Sequence, residues 1–85
     1  MLVTVTQEMI DIAQANFENP NRGTECPLAL AISEARGIKT RVLTTCYLDD
    51  GSLGDKYQLP QIAKDFRSAF DAGLTVGPIQ FEIEN

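Results

Sequence analysis

Two cysteines and a set of clustered carboxylates are the residues best suited to chemistry in this chain, and each meets an obstacle. Cys26 stands just before Pro27, at the start of an apolar run with helical spacing. The start of a helix lowers a thiol pKa and favours the nucleophilic thiolate. A cysteine nucleophile also needs an activating base, and the sequence contains no histidine, the commonest partner of a catalytic Cys or Ser. The competing role for Cys26 is that of a small buried side chain, the usual fate of a free cysteine. Cys46 lies among β-formers and reads as core filler. Asp49, Asp50 and Asp55 surround Gly51, but the alternating oxygen ligands and closing bidentate Glu of a calcium loop are missing. A solvated turn is the simpler reading, since Asp and Gly are the usual turn formers. Zinc needs four Cys, His or carboxylate ligands at tight spacing, and there is no C-x-x-C pair. Phosphate-binding and dinucleotide fingerprints are also lacking. The expectation is a chain with no catalytic residues, no metal and no cofactor, hence not an enzyme.

Charge points to a different kind of function. Twelve Asp and Glu against seven Lys and Arg leave a net charge of −5. Binding to duplex DNA, RNA or an anionic membrane depends on neutralising phosphates with Lys and Arg, so these partners are disfavoured. A partner with a basic surface, including one that normally holds nucleic acid, is attracted instead. The carboxylates that would meet it are Glu8 and Asp11 in the first helical run, Asp49, Asp50 and Asp55 near the Gly51 turn, and Glu82 and Glu84 at the end of the chain. If these surfaces adjoin, they present negative charges spread over a broad face, much as phosphates line a nucleic acid. The alternative is an acidic surface that serves solubility alone. Arg36, Lys39 and Arg41 form the only local basic cluster. It either holds a phosphate or complements the negative end of the preceding helix.

The elements that must position these groups follow from spacing. Leu2 to Val5 is short and β-branched, a strand, and Thr6 is placed to cap a helix over residues 7–18 whose buried stripe is Met9, Ile10, Ala13 and Phe17. Asn19-Pro20-Asn21-Arg22-Gly23 stops it. Thr24 is placed to cap a second helix with Pro27 in its first turn, a stripe of Leu28, Ala31, Ile32 and Ala35, and Gly37 as the left-handed C-cap. Thr40 to Tyr47 reads as one central strand, and Leu53 to Gln58 as its ragged return. Pro60 opens a third helix with Ile62, Ala63, Phe66 and Phe70 on one face, closed by Asp71-Ala72-Gly73. Ile79, Phe81 and Ile83 alternate with Gln80, Glu82 and Glu84, a strand with one buried and one acidic face.

Eighty-five residues with 44% hydrophobic content suffice for one core. The expectation is a single α+β domain over residues 1–85, in the order β-α-α-β-(β)-α-β. Its sheet would be mainly antiparallel, three- or four-stranded, with helices on one face. Two thiols outside any cysteine-rich framework, with no signal sequence or long apolar run, favour a cytoplasmic location.

Three segments together carry a resemblance. Val5-Thr6-Gln7-Glu8-Met9-Ile10, Cys26-Pro27-Leu28-Ala29-Leu30-Ala31 and the stretch from Phe70 to Glu82, with its Asp71-Ala72-Gly73 and Gly77-Pro78, occur in an order that resembles small uncharacterised acidic proteins encoded by bacteriophages and prophages. The likeness spans most of the chain except residues 39–58 and transfers no site residues. It implies a non-enzymatic protein that binds and inhibits a host complex, with anti-CRISPR proteins that block nucleic-acid binding as the example. Two other readings remain open: a self-associating accessory protein that pairs residues 79–83 with a second copy, and a small nucleic-acid-binding regulator using Arg36, Lys39 and Arg41.

Overall fold

The computed structural model describes residues 1–15, 26–43, 45–49 and 56–83. Strand β1 (Leu2–Val5) buries Val3 and Val5 completely and turns Leu2 and Thr4 to solvent, as a period of two requires. Its partner is β5 (Ile79–Glu82), paired antiparallel with Val3 opposite Phe81 and Thr4 opposite Gln80. Met1 and Ile83 extend the ladder by exchanging two backbone hydrogen bonds, of 2.8 and 2.9 Å. The expected alternation on β5 holds, with Phe81 and Ile83 buried, Ile79 half-buried, and Gln80 and Glu82 exposed.

Helix α1 (Gln7–Ala15) begins where the sequence places it. The Thr6 hydroxyl accepts the Met9 N–H at 3.2 Å, satisfying a donor that has no partner within the helix. Ile10 and Ala13 are buried; Phe17 and the rest of the expected 16–18 extension lie outside the described residues. Helix α2 (Pro27–Arg36) starts later than a Thr24 cap would have it. Its cap is Cys26, in extended backbone, whose Sγ accepts the Ala29 N–H at 3.4 Å. Pro27 sets this boundary because its fixed φ and missing N–H suit the first helical position. At the far end Gly37, at φ +70°, donates to Ser33 O at 2.9 Å, the left-handed stop expected of it.

The run Thr40 to Tyr47 is not one strand. It divides into β2 (Thr40–Val42) and β3 (Cys46–Asp49), which pair antiparallel with Val42 opposite Tyr47. Nothing local announces the break, since the run holds no Gly or Pro. A distant side chain secures it: Arg67 of helix α3 (Gln61–Asp71) donates through Nη1 to the carbonyls of Val42, at 2.8 Å, and Leu43. The Leu43 N–H donates to Cys46 O at 2.8 Å across the turn. Strand β4 (Tyr57–Gln58) then adds to β3, with Tyr57 opposite Tyr47; of the expected return, Leu53 to Asp55 lie outside the described residues.

Pro60 precedes α3 in extended backbone, and its carbonyl accepts the N–H groups of Ala63 and Lys64. Ala63, Phe66 and Phe70 form the buried stripe, while Ile62, at the stripe's margin, is 47% exposed and not part of it. Gly73, at φ +78°, follows the last turn.

The protein is therefore α+β, with its described strands divided between two antiparallel sheets, β1-β5 and β2-β3-β4, in place of one shared sheet. Helix α2 packs against β1, β2 and α1, so it braces both sheets. Val3, Val5, Ile10, Leu28, Ile32, Val42, Tyr47, Phe66, Phe70 and Phe81 share one core. Among the described residues no helix is long and apolar enough to cross a membrane.

Candidate functional site

Of the carboxylates singled out by the sequence, the described ones sit in different environments. Glu8 and Asp11 are both exposed on α1, three residues apart, and the Asp11 carboxylate accepts the Gln7 side-chain amide at 2.9 Å. Asp49 is committed internally: its Oδ1 accepts the Arg36 guanidinium at 2.6 Å. Glu82 projects from β5 with its side chain 73% exposed, 3.2 Å from the Met1 amino group. Asp50, Asp55 and Glu84 lie outside the described residues.

The members of the basic cluster likewise differ in exposure. Arg36 points inward, its side chain only 13% exposed. Besides Asp49 it donates to the Thr40 hydroxyl at 2.9 Å. Its guanidinium carbon lies 5.5 Å from the Tyr47 ring centre and 5.4 Å from that of Tyr57, and the two rings stack at 5.2 Å. Arg36 thus ties the last turn of α2 to all three strands of the second sheet through ion-pair, hydrogen-bond and cation–π contacts. Lys39 and Arg41 are exposed. Of the three, Arg36 is engaged in the fold.

Burial decides the chemistry of Cys26. The Ala29 N–H and the charge of Arg67 favour the thiolate, but desolvation is the larger effect and pushes the thiol pKa above its usual 9.0. The side chain is a buried helix cap in its neutral form, and a weak nucleophile. Cys46 is also buried and unpaired in any disulfide. Among the described residues no group of three or more His, Cys, Asp or Glu is placed to hold a metal ion.

What the fold does bring together is an apolar groove between α1 and α2. Met9 and Ile12 from α1 and Leu30 from α2 line it, with Glu8 on one wall and Glu34 on the other, around a volume of about 370 Å³. Through Thr6 and Glu34, which line both, it adjoins a smaller depression of about 260 Å³ beside Leu2, Ala31 and Ala35. Ile12 is 45% and Leu2 52% exposed, so branched apolar side chains face solvent at both ends. Among its described lining there is no cation. Glu34 is not one of the carboxylates that the sequence pattern singles out, although its place four positions after Leu30 on a helix puts it on the same face.

A second cleft, of about 540 Å³, separates β4 from β5 and is lined by Tyr57, Leu59, Pro60 and Ile83, with Lys56 and Glu82 at its edges. Both clefts offer apolar surface flanked by charge, which suits recognition by contact. Comparison of the chain with protein-family models, curated proteins and solved structures gives no match.

Proposed function

We propose that this chain works by binding another protein and not by catalysis, and that its partner presents a basic surface. The observation that carries this reading is the groove between α1 and α2. Solvent-facing Leu2 and Ile12, half-buried Met9 and Leu30, and the carboxylates of Glu8 and Glu34 make one contiguous surface, apolar within and acidic at the rim. That is the anatomy of a protein-binding patch. The net charge of −5 extends the same preference beyond the groove. The resemblance to phage-encoded proteins supports a host complex that handles nucleic acid as the partner, with a CRISPR surveillance complex as the first to try. Occupation of its Lys/Arg-lined channel would exclude the nucleic acid.

The test immobilises the chain and measures retention of a purified surveillance complex, and of bacterial lysate proteins, at low and high salt. Retention of a basic nucleic-acid-handling complex at low salt, its release at high salt and its displacement by DNA are the expected results. Recovery of nothing but the chain itself refutes the reading.

Self-association is the second reading, and one feature of β5 favours it. Since Met1 and Ile83 exchange their hydrogen bonds, the alternation of an antiparallel ladder turns the N–H and C=O groups of Gln80 and Glu82 away from β1. No described strand covers that side. A two-fold axis at Phe81 would set Gln80 opposite Glu82 of the second copy and avoid opposing two carboxylates. A light-scattering mass of twice 9.3 kDa that falls to the monomer value in Gln80→Pro supports this; a monomer at millimolar concentration rules it out.

A further inference from the structure

We infer that the occupant of the groove between α1 and α2 is an amphipathic helix of the partner, with an apolar stripe flanked on both sides by Lys or Arg. The inference rests on the proposed protein-binding function and names what that surface takes. Three features lead to it. The walls are themselves helices, and the described floor is set by Met9 and Ile12, three apart on α1, and by Leu30 on α2. Residues three and four apart form the ridges between which a third helix seats its own side chains. The carboxylates stand one on each wall, Glu8 on α1 and Glu34 on α2, so a guest needs cations on both flanks of its stripe, not on one. Asp11 follows Glu8 by three positions and lengthens the acidic edge on the α1 side. Finally, no cation of this chain lies among the described lining to neutralise them.

An extended peptide fits this surface less well. Strand addition draws on unpaired backbone donors and acceptors, whereas the N–H and C=O groups along helical walls are largely spent within the helices. Apolar anchors at helical spacing with charged flanks are the features of helix-in-groove recognition.

The probe is a synthetic peptide carrying Leu at i, i+3, i+4 and i+7 with Lys on both flanks, titrated into isotope-labelled chain while backbone amide NMR shifts are followed. Two control peptides accompany it, one with Gln for every Leu at unchanged charge, one with Glu for every Lys. The expected result is saturable shifts confined to residues 6–12 and 30–35, with the peptide helical when bound. Affinity should fall by about tenfold in a Glu8→Gln, Glu34→Lys variant and similarly in Ile12→Ser, whose side chain is 45% exposed, with circular dichroism confirming that each variant keeps the fold.

Equal binding of the Gln-for-Leu peptide shows attraction by charge alone and overturns the inference. So do shifts centred elsewhere, an extended bound peptide, or no binding. The same variants separate the two proposals. Retention of a partner complex that is unaffected by the groove substitutions leaves protein binding standing and removes the helix groove. A groove that binds the probe while no partner is retained does the reverse.

Discussion

Replacing Arg36 by Ala should be among the most damaging changes to a charged residue in this protein. The side chain holds Asp49 at 2.6 Å, the Thr40 hydroxyl at 2.9 Å, and the rings of Tyr47 and Tyr57 at about 5.5 Å. Asp49 is 44% exposed, so solvent screens the ion pair and about 1 kcal/mol is a fair contribution. The Thr40 hydrogen bond adds about 1 kcal/mol, and each ring contact about 0.5 kcal/mol. Together these come to roughly 3 kcal/mol, a large fraction of the stability of about 5 to 10 kcal/mol typical of a small domain. Urea unfolding followed by far-ultraviolet circular dichroism measures it, and thermal unfolding should show a fall in melting temperature of about 12 to 24 °C. Arg36→Lys should recover about half, because an ammonium keeps the charge but cannot serve Thr40, Asp49 and two ring faces together. A double-mutant cycle with Asp49→Asn should give a coupling of about 1 kcal/mol. A loss below 1 kcal/mol for Arg36→Ala, or full recovery by Lys, refutes the claim that this guanidinium joins α2 to the second sheet.

Three further outcomes follow from the same geometry. Arg67→Ala removes the donor to the Val42 and Leu43 carbonyls, so it should cost about 2 kcal/mol and speed amide exchange in the β2–β3 hairpin well ahead of that in β1 and β5. Gly37→Ala should cost about 1 kcal/mol from backbone strain alone, since φ is +70° and an added Cβ meets nothing within 4 Å; Gly37→Asn should cost less, as read by thermal unfolding. For Cys26, burial raises the thiol pKa in the folded chain, so above pH 9 the unfolded chain releases a proton that the folded one retains. That group's contribution is constant below about pH 9 and declines as pH rises past it, by at most about 1.4 kcal/mol per pH unit. Urea unfolding of the chain and of Cys26→Ala between pH 7.5 and 10 should show the steeper decline in the unsubstituted chain, and parallel curves would contradict the burial argument.

How far the sequence foretells this fold depends on how local each decision is. The Thr6 cap, the Gly37 stop, the start of α3 after Pro60 and the alternation of β5 are settled within a few residues, by one hydrogen bond, one backbone conformation or one periodicity. All four hold in the structure. Cys26 in place of Thr24 as the α2 cap was within reach of the same reasoning, because Pro27 marks the first helical position; the weakness of sulfur as an acceptor hid it. The division of Thr40 to Tyr47 into two strands is not, since the run is rich in β-formers without Gly or Pro, and the break is met by Arg67, more than twenty positions away.

The same distinction governs function. Composition alone determines that the chain is acidic, lacks histidine and is small enough for one core, because these are sums over residues and need no coordinates. Which carboxylates face a partner is a property of neighbours. Asp49 reads in sequence as a member of an exposed acidic turn but pairs with Arg36, while Glu34, which no sequence pattern marks as a site, stands across a groove from Glu8. Only the packing of α2 against α1 and against both sheets decides these roles, since a charge is silenced or presented by what long-range contacts bring within a few ångströms of it.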